Sequence, residues 1–491
     1  MEKQGIKPHV AVLPSVGMGH LIPLLELGKR LALHHGFRVT LLLITTNTPP
    51  SAAQDQLLCS PDIPSDLHIL KLPPVDVEQV TTHDMLIMTR LCVITEHSLI
   101  GSLKSVLVAL GLGQTRALVT DFFSTQAFDI CNELSIPAYL FSTTCIAFSA
   151  FALYLPKLDS DVECEFIDLP EPIEVPGCSP VRTEDLLDQV RNRKNDEYKW
   201  FYFHVSRMPL ASGILLNSWE DLEPVSLKAI KENPYFKHIP TPPVYPVGPL
   251  IKQQETLSRV DVECLEWLDK QPPDSVLFVA LGSGGTLSLE QQNELAMGLE
   301  LSQQRFIWVV RHPTDVTGSG TFFDSGGSQA EMNENDPRGY LPEGFLRRTE
   351  GVGLVVPSWG SQVAILGHPC TGGFLSHCGW NSSLESIAHG VPIIAWPLYA
   401  EQRMNATMLV DDIGVAFKLE KGAGGHTIFA RQEISRVVRM VMEGEQGQVM
   451  RNRAKQLKQS AAKALDNMNG SSHHSLSFVS NLWKTTTDQV L

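Results

Sequence analysis

The sequence predicts an α/β protein built from two doubly wound, parallel-sheet domains. Three observations predict it. The chain has 491 residues, more than one domain at ~100–200 residues each. Its apolar runs are continuous rather than alternating, as in strands covered on both faces. The succession of strand, glycine turn and amphipathic helix occurs once at the head of each half, which is the grammar of doubly wound sheets.

In the first half, His9–Pro14 reads as a strand, Gly17-Met18-Gly19-His20 as a turn and Leu21–Leu33 as a helix. Leu21, Leu24, Leu25, Gly28 and Leu31 share one face of that helix. Val39–Ile44, Ala117–Asp121, Ile136–Phe141 and Gly213–Leu216 are further strands, with a helix expected over Phe122–Cys131. The stretch Ala138–Leu155 carries no charge and touches the length of a membrane span. Its Ser142, Thr143, Thr144 and Ser149, entered through Ile136-Pro137, favour a buried strand followed by a buried helix, so no membrane span is expected.

The second half opens with the strand Ser275–Leu281, the turn Gly282–Gly285 and the helix Leu289–Leu301. Strands follow at Phe306–Val310, Val352–Val356, Gly373–Leu375 and Pro392–Ala395, and helices at Arg431–Met442 and Met450–Leu465. The joint is expected near Tyr245–Val260, where proline-rich chain gives way to a polar run. That divides the protein into 1–250 and 251–469, with a helix over 470–491 packing back on the first domain. Thr314–Arg338, rich in Gly, Ser, Asp and Asn, reads as a long exposed loop.

Composition excludes several classes. Hydrophobic residues are 43% and charged residues 19%, ordinary globular values that exclude a disordered or fibrous chain. A net charge of −15 argues against a nucleic-acid partner, though a few backbone amides can still hold a small anion. Nine cysteines with no C-x-x-C argue against a disulfide framework or zinc site and for a reducing, cytoplasmic setting. The polar start, Met1–Pro8, predicts no secretory signal.

Gly17-x-Gly19 lacks the third small residue of a dinucleotide fingerprint, Ile22 standing there. The second strand ends Ile44-Thr45-Thr46-Asn47 with no acid for a ribose, which disfavours a nicotinamide oxidoreductase. His20 sits where the turn becomes a helix, whose positive end disfavours imidazolium. It is a candidate base, the alternative being a solvent-facing histidine at a helix start. Asp121 closes an apolar run at the carboxyl edge of a strand, where ligands of open sheets bind. It can hold and charge-stabilise the imidazole, or simply cap the following helix. Asp159-x-Asp161 resembles a metal–diphosphate pair but lacks a strand or glycine turn to present it, and no metal is expected.

Ser283, with the amides of Gly282–Gly285, forms a second anion-ready turn before a helix. The densest signal is Trp359–Gln402. His377, Asn381 and Ser382 at a helix start suit a diphosphate, Trp359 a base, and Glu385 a pair of ribose hydroxyls. Ser382-x-x-Glu385 is equally a capping box.

Residues 359–402 resemble the donor-binding box of plant UDP-dependent glycosyltransferases that act on small molecules. The resemblance rests on Trp359, Gln362, His368-Pro369, Gly372-Gly373-Phe374, His377 to Ser382, Glu385, Gly390-Val391-Pro392, Trp396-Pro397 and Glu401-Gln402. Pro14–His20, Asn217–Pro224 and Tyr245–Leu250 look like the same family, so it spans nearly the whole chain. The details are most similar to members that glucosylate hydroquinone, monolignols, chlorinated phenols or indoxyl.

The resemblance implies a GT-B fold of two facing Rossmann-like domains and inverting transfer of glucose from UDP-glucose to a small aromatic acceptor, at oxygen or nitrogen. The co-substrate UDP-glucose is the only cofactor-like partner, with no metal, and the protein is expected to be a monomer. The same resemblance makes His20 the base and Asp121 its support. Trp359, Gly360 and Gln362 would hold uracil and ribose, Glu385 the ribose hydroxyls, and Ser283, His377, Asn381 and Ser382 the phosphates. Trp380, Glu401 and Gln402, with Thr143, would hold the sugar, and Gln402 points to glucose. Met85, Leu86, Phe122 and Phe148 are candidate liners of an apolar acceptor pocket. A noncatalytic UDP-sugar binder is the other alternative; the presence of both His20 and Asp121 speaks against it. The chain departs from the family at Gly360-Ser361, where Ala-Pro is usual, and loss of the proline is expected to loosen that loop.

Overall fold

The computed structural model describes residues 7–82, 84–111, 115–253, 257–314, 336–358, 360–420 and 428–485. Trp359 and most of the predicted loop at 314–338 lie outside the described residues. The chain divides into two compact units, one running to Ile251 and resuming at Ala461, the other Lys252–Ser460.

The first unit holds seven parallel strands: β1 (His9–Leu13), β2 (Arg38–Leu43), β3 (Leu67–Lys71), β4 (Thr115–Asp121), β5 (Ala138–Ser142), β6 (Gly213–Leu216) and β7 (Val244–Pro246). Their order is β3-β2-β1-β4-β5-β6-β7. The chain therefore winds outward in both directions from the junction of β1 and β4, and a doubly wound sheet opens its binding crevice at such a reversal. The register pairs Leu13 with Thr120, so the segments leaving β1 and β4 emerge side by side.

The uncharged stretch after Ile136 forms β5 and then the helix Ile146–Asp161. Glu223 binds that helix's start, accepting from Ile146 N at 2.7 Å and Ala147 N at 3.1 Å. Asn217 grips the segment after β7 through both amide groups, donating to Leu250 O at 3.2 Å and accepting from Leu250 N at 2.7 Å. The Asn217–Pro224 and Tyr245–Leu250 motifs thus brace one another. A different helix, Ile87–Ala109, has the length and hydropathy of a membrane span, and half of its apolar window is buried within the structure.

The helix Ser471–Thr485 packs on the first unit, placing Leu476, Val479 and Trp483 in the β1–β4 core. Trp483 meets Phe37 and Tyr139 edge-on, at 5.9 and 5.2 Å between ring centroids. The return begins earlier than the sequence suggested, at Ala461 rather than residue 470. Arg30 holds this segment, donating to Leu465 O at 2.6 Å and to Asn467 Oδ1 at 3.3 Å.

The second unit contains β8 (Val276–Ala280), β9 (Arg305–Val310), β10 (Gly353–Pro357), β11 (Thr371–Ser376), β12 (Ile393–Ala395) and β13 (Ala416–Lys418), all parallel. The order β10-β9-β8-β11-β12-β13 puts its reversal between β8 and β11. The Gly282 turn leaves β8 there, and His377 leaves β11.

Candidate functional site

In the first unit, the helix Met18–His34 starts at Gly17, whose φ of 115° is open to glycine alone at low cost. His20 is its third residue. His20 Nδ1 lies 3.1 Å from Asp121 Oδ2, close enough for charge to act although the alignment falls short of a formed hydrogen bond. The His20 ring also meets Phe123 edge-on at 5.2 Å.

Asp121 is fully buried. It accepts from Ser15 N at 2.7 Å, from Ser15 Oγ, and from Phe123 N at 3.1 Å. Burial opposes its charge, but the His20 imidazole and the Ser15 donors outweigh that and hold the carboxyl below its ordinary range. Both readings of Asp121 hold at once: it caps the short helical turn Phe122–Ser124 and faces the imidazole. The helix expected over Phe122–Cys131 is instead that turn followed by Ala127–Glu133. Thr125, between the two pieces, is tied to His204 Nδ1 at 2.8 Å.

Thr143 directly follows β5 at the same edge and is buried. Phe122 and Phe148 are brought together, 6.1 Å between centroids, within a cluster that includes Phe201 and His204. Met85 and Leu86 precede the helix Ile87–Ala109, which packs on the Phe122–Ser124 turn. Leu86 is exposed. Asp159 is occupied by Arg193, 2.8 Å away, and by the Tyr198 hydroxyl. No group of three His, Cys, Asp or Glu suited to a metal occurs among the described residues.

In the second unit, the helix Trp380–His389 begins at Gly379 and is closed by Gly390 at φ 78°. Trp380, Asn381 and Ser382 are its first three residues, so their backbone amides lie at the helix's positive end. Ser382 is inside the helix rather than at its cap, which removes the capping-box geometry for Glu385. Instead Gln362 Nε2 donates to Ser382 Oγ at 2.9 Å and to Glu385 Oε2 at 2.5 Å, so three predicted donor-site residues form one polar set.

His377 is buried, and burial holds its pKa down to about 4. The neutral ring lies against Gly282, where an added Cβ would stand 2.5 Å from His377 Nε2. Gly282 has φ 77°, and Ser283 follows it. Gln402 Oε1 accepts from Leu398 N at 2.9 Å and Tyr399 N at 3.1 Å. Asn405 ties Glu401 Oε1, at 3.3 Å, to Cys378 O, at 3.0 Å.

The Gly360-Ser361 departure has a structural counterpart. Ser361 N, which a proline would lack, donates to Asp261 Oδ1 at 2.6 Å. Asp261 Oδ2 also accepts from Ser258 N at 2.8 Å, so one buried carboxylate ties two segments together. Gly360 is buried, and a Cβ there would meet Val309 at 3.3 Å.

The sequence reading missed Ser15, Phe123 and His204 in the first unit, and Asp261, Arg311 and Asn405 in the second. Two of them left a signal: Arg311 ends the apolar run Phe306–Val310 as Asp121 ends its own, and Ser258-x-x-Asp261 is a capping-box spacing that the structure forms.

Two Rossmann-like units in one chain, with a His–Asp couple at one sheet reversal and a glycine turn beside a helix start at the other, define a GT-B-type nucleotide-sugar transferase. Residues 262–466 match the family described as UDP-glucoronosyl and UDP-glucosyl transferase. The chain is 46% identical over 478 residues to the hydroquinone glucosyltransferase of Rauvolfia serpentina, covering 97% of this chain and 98% of that one. The Phytolacca americana UGT2 structure complexed with UDP-2fluoro-glucose and pterostilbene superposes with a TM-score of 0.85 at 41% identity, covering 98% and 100%. The indoxyl-glucosylating UDP-glucosyltransferase of Polygonum tinctorium, in complex with 3,4-dichloroaniline, gives 0.86 at 43%, covering 98% and 100%. The chain belongs to the UDP-glucoronosyl and UDP-glucosyl transferase family and is a UDP-sugar-dependent glycosyltransferase.

Proposed function

We propose that this enzyme transfers glucose from UDP-glucose, with inversion, to the hydroxyl of a small aromatic acceptor, and that anilines serve as a second acceptor class. The observation that carries the reading is the His20–Asp121 pair, an imidazole whose Nδ1 faces a buried, charged carboxylate. Nε2 is then the nitrogen that takes the acceptor's proton. As it does so, the acceptor oxygen bonds to the anomeric carbon and the bond from that carbon to the UDP oxygen breaks. Asp121 stabilises the imidazolium. A single displacement needs one base and no protein nucleophile.

In this reading Trp359 stacks on uracil, Gly360 and Gln362 hold uracil and ribose, and Glu385 takes the ribose hydroxyls. Ser283, His377, Asn381 and Ser382 meet the charge of departing UDP, preorganised donors taking the place of a metal. Trp380, Glu401 and Gln402, with Thr143, hold the glucose. Phe122, Phe148, Met85 and Leu86 contact the acceptor ring, whose low hydroxyl pKa (~10 for a phenol) suits a single imidazole base. The relatives named for hydroquinone and indoxyl support an aromatic acceptor, and the dichloroaniline complex supports nitrogen. Nine free thiols support a reducing, cytoplasmic setting, where the chain acts as a monomer.

The test is incubation with UDP-glucose and a mixed panel of phenols, indoles and anilines, followed by mass spectrometry. Added hexose on phenols is the expected result. No hexose on any aromatic acceptor would remove the proposal.

A further inference from the structure

Arg311 directly follows β9 and reaches the turn that leaves β8, the neighbouring strand. Its Nη1 donates to Gly282 O at 3.1 Å and also to Ser283 O. Among the described residues no carboxylate pairs with it, and its bonding partners are these two carbonyls. Burial pulls its pKa below the usual arginine range, with Tyr399 nearby opposing that. A half-buried cation with no carboxylate beside it among the described residues favours an anion nearby.

The two carbonyls give the arrangement its meaning. A trans peptide sets its C=O and N–H on opposite sides. With the oxygens of Gly282 and Ser283 drawn towards Arg311, the N–H of Ser283 is directed the other way. The left-handed backbone at Gly282 makes this possible, and a backbone amide turned outward from such a turn suits an anion. The His377 ring packs on Gly282, and its Nδ1 is buried without a partner among the described residues.

We propose that Arg311 is a positioning residue for the diphosphate of the nucleotide donor. It clamps the two carbonyls so that the amide of Ser283 faces the anion, and it sets behind the turn a positive charge that the anion neutralises. The inference rests on the reading of the second unit as the UDP-sugar site.

Calorimetric titration of the full chain with uridine and with UDP tests it, using wild type, Arg311→Met and Arg311→Lys. A charge-assisted hydrogen bond is worth roughly a 10- to 100-fold change in affinity, so the Met variant is expected to lose UDP affinity by that factor. Uridine affinity is expected to change less than about twofold, because uridine carries no phosphate. Lys, which keeps the charge, is expected to recover most of the loss. If the Met variant does not fold, Arg311→Gln keeps carbonyl hydrogen bonding without charge and is expected to show the same selective loss. Equal losses for uridine and UDP would make Arg311 a structural residue and overturn the proposal, as would unchanged UDP affinity. A wild-type chain that binds uridine and UDP equally overturns the donor reading along with it, a pattern distinct from either.

Discussion

His20 Nδ1 lies 3.1 Å from Asp121 Oδ2 because the helix that follows β1 starts at the sheet edge where the neighbouring strand β4 ends in Asp121. Ser15 and Phe123 fix the carboxylate, and Phe123 also fixes the ring. His20→Ala is therefore expected to lower transfer by about 100- to 10,000-fold, the usual range for a lost general base. UDP affinity is expected to stay within about twofold, since His20 belongs to the first unit. Asp121→Asn keeps the shape but removes the charge, and is expected to lower turnover without raising the donor KM. Steady-state kinetics with a phenolic acceptor, together with UDP titration, checks both. Near-normal turnover in His20→Ala would remove the assignment.

Gln362, Ser382 and Glu385 constrain one another, so the loss of one carboxylate should be felt at the nucleoside end of the donor. Glu385→Ala is expected to weaken UDP-glucose and uridine binding by about tenfold or more, the cost of one lost charged hydrogen-bonding group. The thermal midpoint is expected to fall only slightly. Unchanged donor affinity with a large drop in midpoint would mark Glu385 as a helix-stabilising residue instead.

Acid stability is set first by buried histidines. Burial is the largest cause holding His9 and His377 down to about 4, and His35 and His204 down to about 3. Unfolded histidine titrates near ~6.5, so between that pH and about 4 the unfolded chain binds protons that the folded chain refuses. Stability therefore falls on acidification through this window, by up to about 1.4 kcal/mol per pH unit for each histidine. Asp121 is shifted in the same direction: burial opposes it, but His20 and the Ser15 donors hold the carboxyl below the ordinary range, so it too loses stability on acidification, but at lower pH. Its contribution is present above the ordinary carboxylate range and is lost only as pH drops through its lowered folded value. Urea midpoints at pH 7 and pH 5.5 are expected to differ clearly, and His204→Gln is expected to shrink the gap. A flat profile over that interval would contradict the argument.

Residues that close an apolar run were legible in the sequence, because a parallel strand is a local pattern and its carboxyl end is a local position. Asp121 was found this way, the Gly282 turn followed from the strand–turn–helix succession, and His377 from the helix start in the dense 359–402 segment; Arg311 stood open to the same reading as Asp121. β3 was missed because it is an edge strand, half exposed, and lacks the continuous apolar run of the buried strands. β7 and β13, also at sheet edges, run for only three residues each. Ser15 and His204 act through partners distant in the chain, and nothing in their own neighbourhoods marks them; Asp261 also caps its own helix with Ser258, but its bond to Ser361, a hundred residues on, has no local mark. The supposed capping box at Ser382 failed for a related reason: the spacing was right, but the helix begins two residues earlier, at Trp380.

The Ser361–Asp261 contact turns a sequence-level expectation into a test. A proline at 361 suits the backbone, since φ there is −67°, and restricting the unfolded chain would stabilise by about 0.4–1 kcal/mol. Against this, proline removes the N–H that Asp261 Oδ1 accepts at 2.6 Å. Asp261 is only 6% exposed, and taking a donor from a buried carboxylate costs about 1–3 kcal/mol or more. The loss outweighs the gain, so Ser361→Pro is expected to destabilise the protein by about 1–2 kcal/mol rather than tighten the loop. The sign should reverse in an Asp261→Ala background, where no carboxylate remains to lose its donor and only the entropic gain is left. Thermal or urea midpoints of the two single variants and the double variant decide the matter. A more stable Ser361→Pro in the otherwise natural chain would show that the proline's stiffening, and not the hydrogen bond, governs the 360–362 turn.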